Sequence, residues 1–225
     1  MTVTTPDGSF DAYLAMPAKL PAPAVVILQE IFGVNPDLRQ TADDLAAQGF
    51  LAICPDLFWR QSPNIELSDK TDWDQGFELY NAYNRDQGVA DIAAVIHAAR
   101  TVSGANGKVG LMGFCLGGLM TYLTATRIGV DAGVWYYGGS TEDYLAEVDN
   151  LTDPFLMHVG SEDEYISPAA QSKIAAAVSD RSNVQLNIYA GCSHAFSRHA
   201  GNKFDAEADG VAKLRTLEFF RQQLR

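Results

Sequence analysis

A chain of 225 residues that is 47% hydrophobic, 20% charged and 10% aromatic can bury a large core, and its length suits one α/β domain spanning residues 1–225. Its 16 basic and 28 acidic side chains give a formal charge of −12, which repels phosphate backbones and anionic headgroups and argues against nucleic acid as a partner. No apolar run approaches the roughly 18–20 residues of a bilayer span and no secretory signal opens the chain, so a cytoplasmic protein with no membrane partner is expected.

In chain order, the opening TVTTPDGSFDAYLAMP predicts a small hairpin turned at Asp7-Gly8. The run AVVILQ (24–29) predicts a strand, followed by a helix over 36–48 and the strand FLAIC (50–54). Residues 60–75, RQSPNIELSDKTDWDQ, are polar and contain proline, which predicts a surface excursion rather than a linker. A helix over 87–102 precedes the strand KVGLMGF (108–114), and a helix over 115–127 follows it without a gap. The strands GVWYY (133–137) and FLMHVG (155–160), a helix over 168–179, the strand VQLNIY (184–189) and a helix over 205–224 complete the series. In the last helix Val211, Leu214, Leu217 and Leu224 recur at helical spacing. Such alternation predicts a mainly parallel central sheet with helices on both faces. Ligands of open sheets bind beyond the carboxyl ends of the strands, so the loops after each strand are where chemistry is expected.

Cys54, Cys115 and Cys192 are odd in number and lack a C-x-x-C spacing, which favours free thiols over a disulfide framework or a zinc site. Cys115 stands apart because it lies between a strand and a helix, flanked by Gly113 and Gly117 in GFCLG. A strand turning abruptly into a helix crowds its own backbone, and small residues two positions either side relieve that crowding. This is the nucleophile-elbow pattern with cysteine in the serine position. The helix N-terminus favours a thiolate and offers the Leu116 amide as an oxyanion donor. The plainer reading is a small core residue in a glycine-rich turn.

An elbow nucleophile needs a carboxylate and then a histidine further along the chain. The strand FLMHVG is followed by SEDEYISP, which offers Glu162, Asp163 and Glu164; Asp163 is the best placed, three residues past Gly160. The strand VQLNIY is followed by AGCSHAF, which puts His194 in the loop before the last helix. His97 and His158 fall inside a helix and a strand and read as structural, and His199 reads as exposed. In this arrangement His194 accepts the thiol proton, Asp163 orients the imidazole, and Cys115 attacks an acyl carbon to give a thioester that water cleaves.

The segments QEIFGVN (29–35), CPDLF (54–58), KVGLMGFCLGG (108–118), WYYG (135–138) and GCSHAF (191–196) resemble the dienelactone hydrolase family of α/β hydrolases, in the family's order. The resemblance implies an α/β-hydrolase fold, cleavage of an enol-lactone or related activated ester, the triad Cys115, Asp163 and His194, and neither a cofactor nor a metal. It implies that Glu30 holds the resting thiol neutral and takes its proton when substrate arrives, that Ile31 supplies a second oxyanion amide beside Leu116, and that Arg198 binds a substrate carboxylate. Family members acting on dienelactone use two arginines; the second falls in the helical stretch following the 60–75 excursion, where this chain has Trp73 in TDWDQGFELY. Loss of one charge-assisted contact costs roughly 1.5–3 kcal/mol of recognition, enough to change the preferred ester. Trp59, Phe77 and Tyr80 are candidates for a more aromatic pocket, or for core packing. The partner expected is a small-molecule ester or lactone, and the protein a monomer or small homo-oligomer. A broader carboxylesterase, a thiol redox protein and a non-catalytic binding module are the competing readings.

Overall fold

The continuous apolar runs form the middle of a sheet in which nearly every residue is shielded from solvent. In the computed structural model, which describes all 225 residues, these are β3 (Ala22–Leu28), β4 (Leu51–Pro55), β5 (Ala105–Phe114), β6 (Ala132–Tyr136) and β7 (Phe155–Gly160). The outer strands β1 (Thr2–Thr5), β2 (Gly8–Ala15) and β8 (Val184–Tyr189) mix buried, half-buried and exposed positions, as half-covered strands do. The eight strands lie in the order β1-β2-β4-β3-β5-β6-β7-β8. The β1–β2 hairpin turns where Asp7-Gly8 predicted, β2 joins β4 antiparallel, and every other pairing is parallel.

Helices α1 (Pro36–Ala47), α3 (Arg85–Thr101), α4 (Leu116–Arg127), α5 (Pro168–Val178) and α6 (Ala206–Gln223) occupy the expected segments. Side-chain caps explain several starts: Asn35 accepts from Leu38 N, Asn84 from Asp86 N and Gln87 N, and Ser167 from Ala170 N. Helix α4 is buried on every side from Leu116 to Thr126, which is why its sequence is apolar all round rather than amphipathic.

Several details differ from the sequence pattern or go beyond it. The helical stretch after the excursion, around Trp73, forms α2 (Trp73–Ala82), and Thr141–Asn150 winds as a 3-10 helix that the acidic sequence concealed. The buried face of α6 is Ala208, Ala212, Thr216, Phe219 and Phe220; Val211 and Leu214 point to solvent, because the Phe219–Phe220 pair buries more apolar surface than the leucine stripe. Of its two alternatives Trp59 takes packing, stacked on Phe10 and under the Arg60 guanidinium. His97 is exposed on α3. By contrast His158 is fully buried as expected, bonded to Tyr189 and Thr216, with burial holding its pKa down at about 3. The excursion over 60–75 is tied down: Asn64 N donates to Asp56, Leu67 N to Phe32 O, and Arg39 forks onto Glu66.

His199 is not exposed either. It is half-buried between α1 and α6, with Nδ1 3.1 Å from Asp37 and Nε2 3.5 Å from Asp209. These two carboxylates push its pKa up to about 9, against burial and the nearby Lys213 ammonium. A folded pKa above the unfolded value of about 6.5 means a stabilising contribution that is complete below pH 6.5 and lost as pH rises through about 9. Urea unfolding of wild type and His199→Gln should therefore differ most near pH 6 and converge by pH 10. A gap that stays constant across that range would contradict the ion-pair account.

Candidate active site

Strand β5 passes into α4 through a single residue. Cys115 takes φ 53° and ψ −112°, a conformation that costs a side-chain-bearing residue about 1–3 kcal/mol and that the surroundings impose. A Cβ on Gly113 would sit 2.2 Å from the Gly117 carbonyl oxygen, and one on Gly117 2.3 Å from that of Leu28. Only glycine permits this approach. Cys115 N–H donates to Tyr136 O at 3.1 Å and Gly117 N–H to Gln29 O at 2.9 Å, so the elbow is locked to the ends of both neighbouring strands. The first amides of α4 have no intrahelical acceptor and point their positive end toward the thiol region.

The loop after β7 supplies Asp163, whose side chain is fully buried. Its Oδ1 accepts from Tyr165 N (2.8 Å) and Ile166 N (2.9 Å), which fixes the carboxylate in a local turn. Its Oδ2 lies 2.9 Å from His194 Nδ1. Glu164, the neighbouring acid, takes a different task and accepts from the His194 backbone amide at 3.1 Å. The imidazole is held edge-to-face by Tyr137 and Tyr165, at centroid distances of 5.0 and 4.8 Å. With Nδ1 donating to Asp163, the second nitrogen, Nε2, is buried without a hydrogen-bond partner. Burial disfavours the imidazolium, but the interactions of the ring with the Cys115 side chain and the Asp163 carboxylate outweigh it and raise the His194 pKa to about 10.

Cys115, Leu116, His194, Glu30, Ile31 and Arg198 all line one cavity of about 230 Å³. Trp73, Phe77, Tyr80 and Tyr165 form much of its remaining wall. The seven residues singled out from the sequence thus meet in one place, except that Asp163 stands behind His194 and does not line the cavity. A cavity of about 270 Å³ between α1 and α6 contains neither Cys115 nor His194.

Glu30 does not hydrogen-bond to Cys115 in this structure. Its Oε2 instead lies 2.7 Å from Arg198 Nε. This is a close ion pair whose N–H is poorly aligned, which leaves Arg198 Nε without a true hydrogen bond, and the other carboxylate oxygen, Glu30 Oε1, is buried without a partner as well. Burial raises the Glu30 pKa and the Arg198 charge opposes that rise. Arg198 itself is buried, with Phe32 and Trp73 rings 5.0 and 5.4 Å from its guanidinium carbon. The sequence reading missed three contributors. Tyr137 and Tyr165 were not assigned to the imidazole, although both lie in segments already singled out. Asp69, 3.5 Å from Arg198 Nη1, gave no signal at all within its polar stretch.

A strained residue at a strand-helix elbow, backed by a histidine and a carboxylate from the loops after later strands of a mostly parallel sheet, defines an α/β hydrolase. A solved structure from Klebsiella pneumoniae subsp. pneumoniae MGH 78578 superimposes with a TM-score of 0.87 at 26% identity, covering 99% of this chain and 97% of that one. The chain belongs to the dienelactone hydrolase family, whose sequence profile matches residues 10–224, and it is a carboxylic ester hydrolase. It is 37% identical to a carboxymethylenebutenolidase of Pseudomonas putida over 97% of this chain and 94% of that protein. It is 38% identical to carboxymethylenebutenolidase 1 of Cupriavidus pinatubonensis, over 94% of this chain and 91% of that protein.

Proposed function

We propose that the protein hydrolyses an enol-lactone or a related activated carboxylic ester through a thioester on Cys115, with His194 as general base and acid and Asp163 as the group that orients it. The observation that carries this reading is the buried, partnerless Nε2 of His194, in the same cavity as the elbow cysteine while Asp163 fixes Nδ1. Sγ attacks the carbonyl carbon as its proton resides on His194. The carbonyl oxygen, now negative, is received by the Ile31 and Leu116 amides, both of which border the cavity. The carbon–oxygen bond breaks, His194 returns the proton to the departing oxygen, and a thioester remains. With a lactone the departing oxygen stays tethered to the acyl group, so the adduct carries the whole substrate mass. Water, deprotonated by His194, then attacks the thioester and releases the acid and the thiol.

Acid quenching during turnover, followed by intact-mass and peptide mass spectrometry, tests this directly. An adduct of full lactone mass is expected on the peptide containing Cys115, and none in Cys115→Ala. Undiminished hydrolysis by Cys115→Ala, or an adduct on another residue, would refute the assignment.

A further inference from the structure

Arg198 is the one arginine or lysine lining the cavity, yet its surroundings leave it little free charge. Glu30 lies 2.7 Å from Nε, Asp69 lies 3.5 Å from Nη1, and two aromatic faces cover the guanidinium. The side chains of Arg198, Glu30 and Asp69 are only 9%, 11% and 12% exposed, so this is a largely desolvated cluster with two carboxylates to one cation. Asp69 is preorganised for the contact. Trp73 Nε1 donates to its carbonyl at 2.5 Å, and the turn preceding α2 is closed by Asp72, which accepts from Ser68 N at 2.8 Å. The residue that stacks on Arg198 therefore also holds the second carboxylate against it.

We propose that Asp69 is a specificity-determining residue: it neutralises Arg198, so the cavity selects uncharged aromatic esters or lactones over substrates bearing a carboxylate. The proposal rests on the acyl-transfer reading above and narrows its substrate class. A substrate carboxylate entering beside Arg198 would have to displace or face Asp69 where few water molecules screen the repulsion. An uncharged aryl group meets no such opposition. Trp73 and Phe77, 5.8 Å apart, and Phe77 and Tyr165, 6.3 Å apart, offer it a continuous aromatic wall. Asp69 acts through Arg198 and touches no reacting atom, so its effect should fall on the choice between charged and uncharged substrates.

The test uses 4-acetoxybenzamide and 4-acetoxybenzoate, aryl acetates of nearly the same shape that differ by one charge, beside an enol-lactone as reference. Wild type should favour the amide by about tenfold or more in kcat/KM, and Asp69→Asn should shrink that ratio by about tenfold, as expected for removing one poorly screened like charge. Asp69→Glu, which keeps the charge, should retain the wild-type preference, whereas a purely structural role for Asp69 would move both substrates together. A ratio unchanged in Asp69→Asn, or a wild type that prefers the benzoate, overturns the proposal. If neither aryl acetate turns over while Cys115-dependent lactone cleavage persists, the proposal fails and the acyl-transfer reading stands. If Cys115-dependent cleavage is absent on all three, both fall.

Discussion

Replacing His194 by alanine is expected to lower kcat for ester or lactone cleavage by about 10⁴-fold or more, the scale at which members of such triads act as a unit. The imidazole has three engagements, and each predicts part of the result. In the proposed mechanism its Nδ1 on Asp163 fixes which nitrogen faces the sulfur, its raised proton affinity suits it to hold the proton that Cys115 loses, and its bare Nε2 is the atom to return that proton to the leaving oxygen. Alanine removes all three together. KM should change little, because the aromatic wall and the oxyanion amides remain in place. His194→Gln should be almost as slow, since an amide fills much of the space between Tyr137 and Tyr165 but moves no proton. Steady-state kinetics with thermal unfolding as a folding control decides the matter. A rate within about tenfold of wild type in both variants would remove His194 from the mechanism.

The elbow at Cys115 was legible in the sequence because it is a local object: twelve residues hold the end of the strand, both glycines and the start of the helix. The choice among Glu162, Asp163 and Glu164 rested on position within the loop. The structure gives it a physical basis, since the turn that bonds Asp163 to the amides of Tyr165 and Ile166 aims that carboxylate at the imidazole and leaves Glu164 for the backbone. The pairing of Glu30 with Arg198 could not be read, because it joins residues far apart in the chain and depends on how Phe32 and Trp73 close around the cation. Asp69 was illegible for the same reason. Helix α2 carries Trp73, Phe77 and Tyr80 at helical spacing, but that stripe lines the cavity rather than the core, and Gly76 is its only buried residue. His199 was misread because its partners, Asp37 and Asp209, come from the two helices that flank it in space and from distant parts of the chain.

Gly117→Ala should lower the stability of the fold sharply. The new Cβ would meet Leu28 O at 2.3 Å, Leu28 C at 2.6 Å and Gln29 O at 2.8 Å. All three are backbone atoms at the end of a central strand, so no side chain can swing aside. Overpacking of this kind costs about 3 kcal/mol, and a chain of this length loses roughly 2–4 °C of Tm per kcal/mol, giving a fall of about 6–12 °C. Gly210→Ala provides the contrast, because a Cβ added there on α6 would meet nothing within 4 Å and alanine is the better helix former. Its Tm should hold or rise. The Gly117 variant should also lose activity beyond what stability explains. Pushing α4 away from β3 breaks the Gly117 N–H to Gln29 O bond, which sets the spacing between the Leu116 amide and the Ile31 amide two residues past Gln29. A displaced oxyanion donor costs about 10²–10³ in kcat. At a temperature where the variant is still folded, kcat should therefore fall while KM stays close to wild type. Should both Tm and kcat match wild type, the tight contact between α4 and β3 would not be what holds the two amides in register.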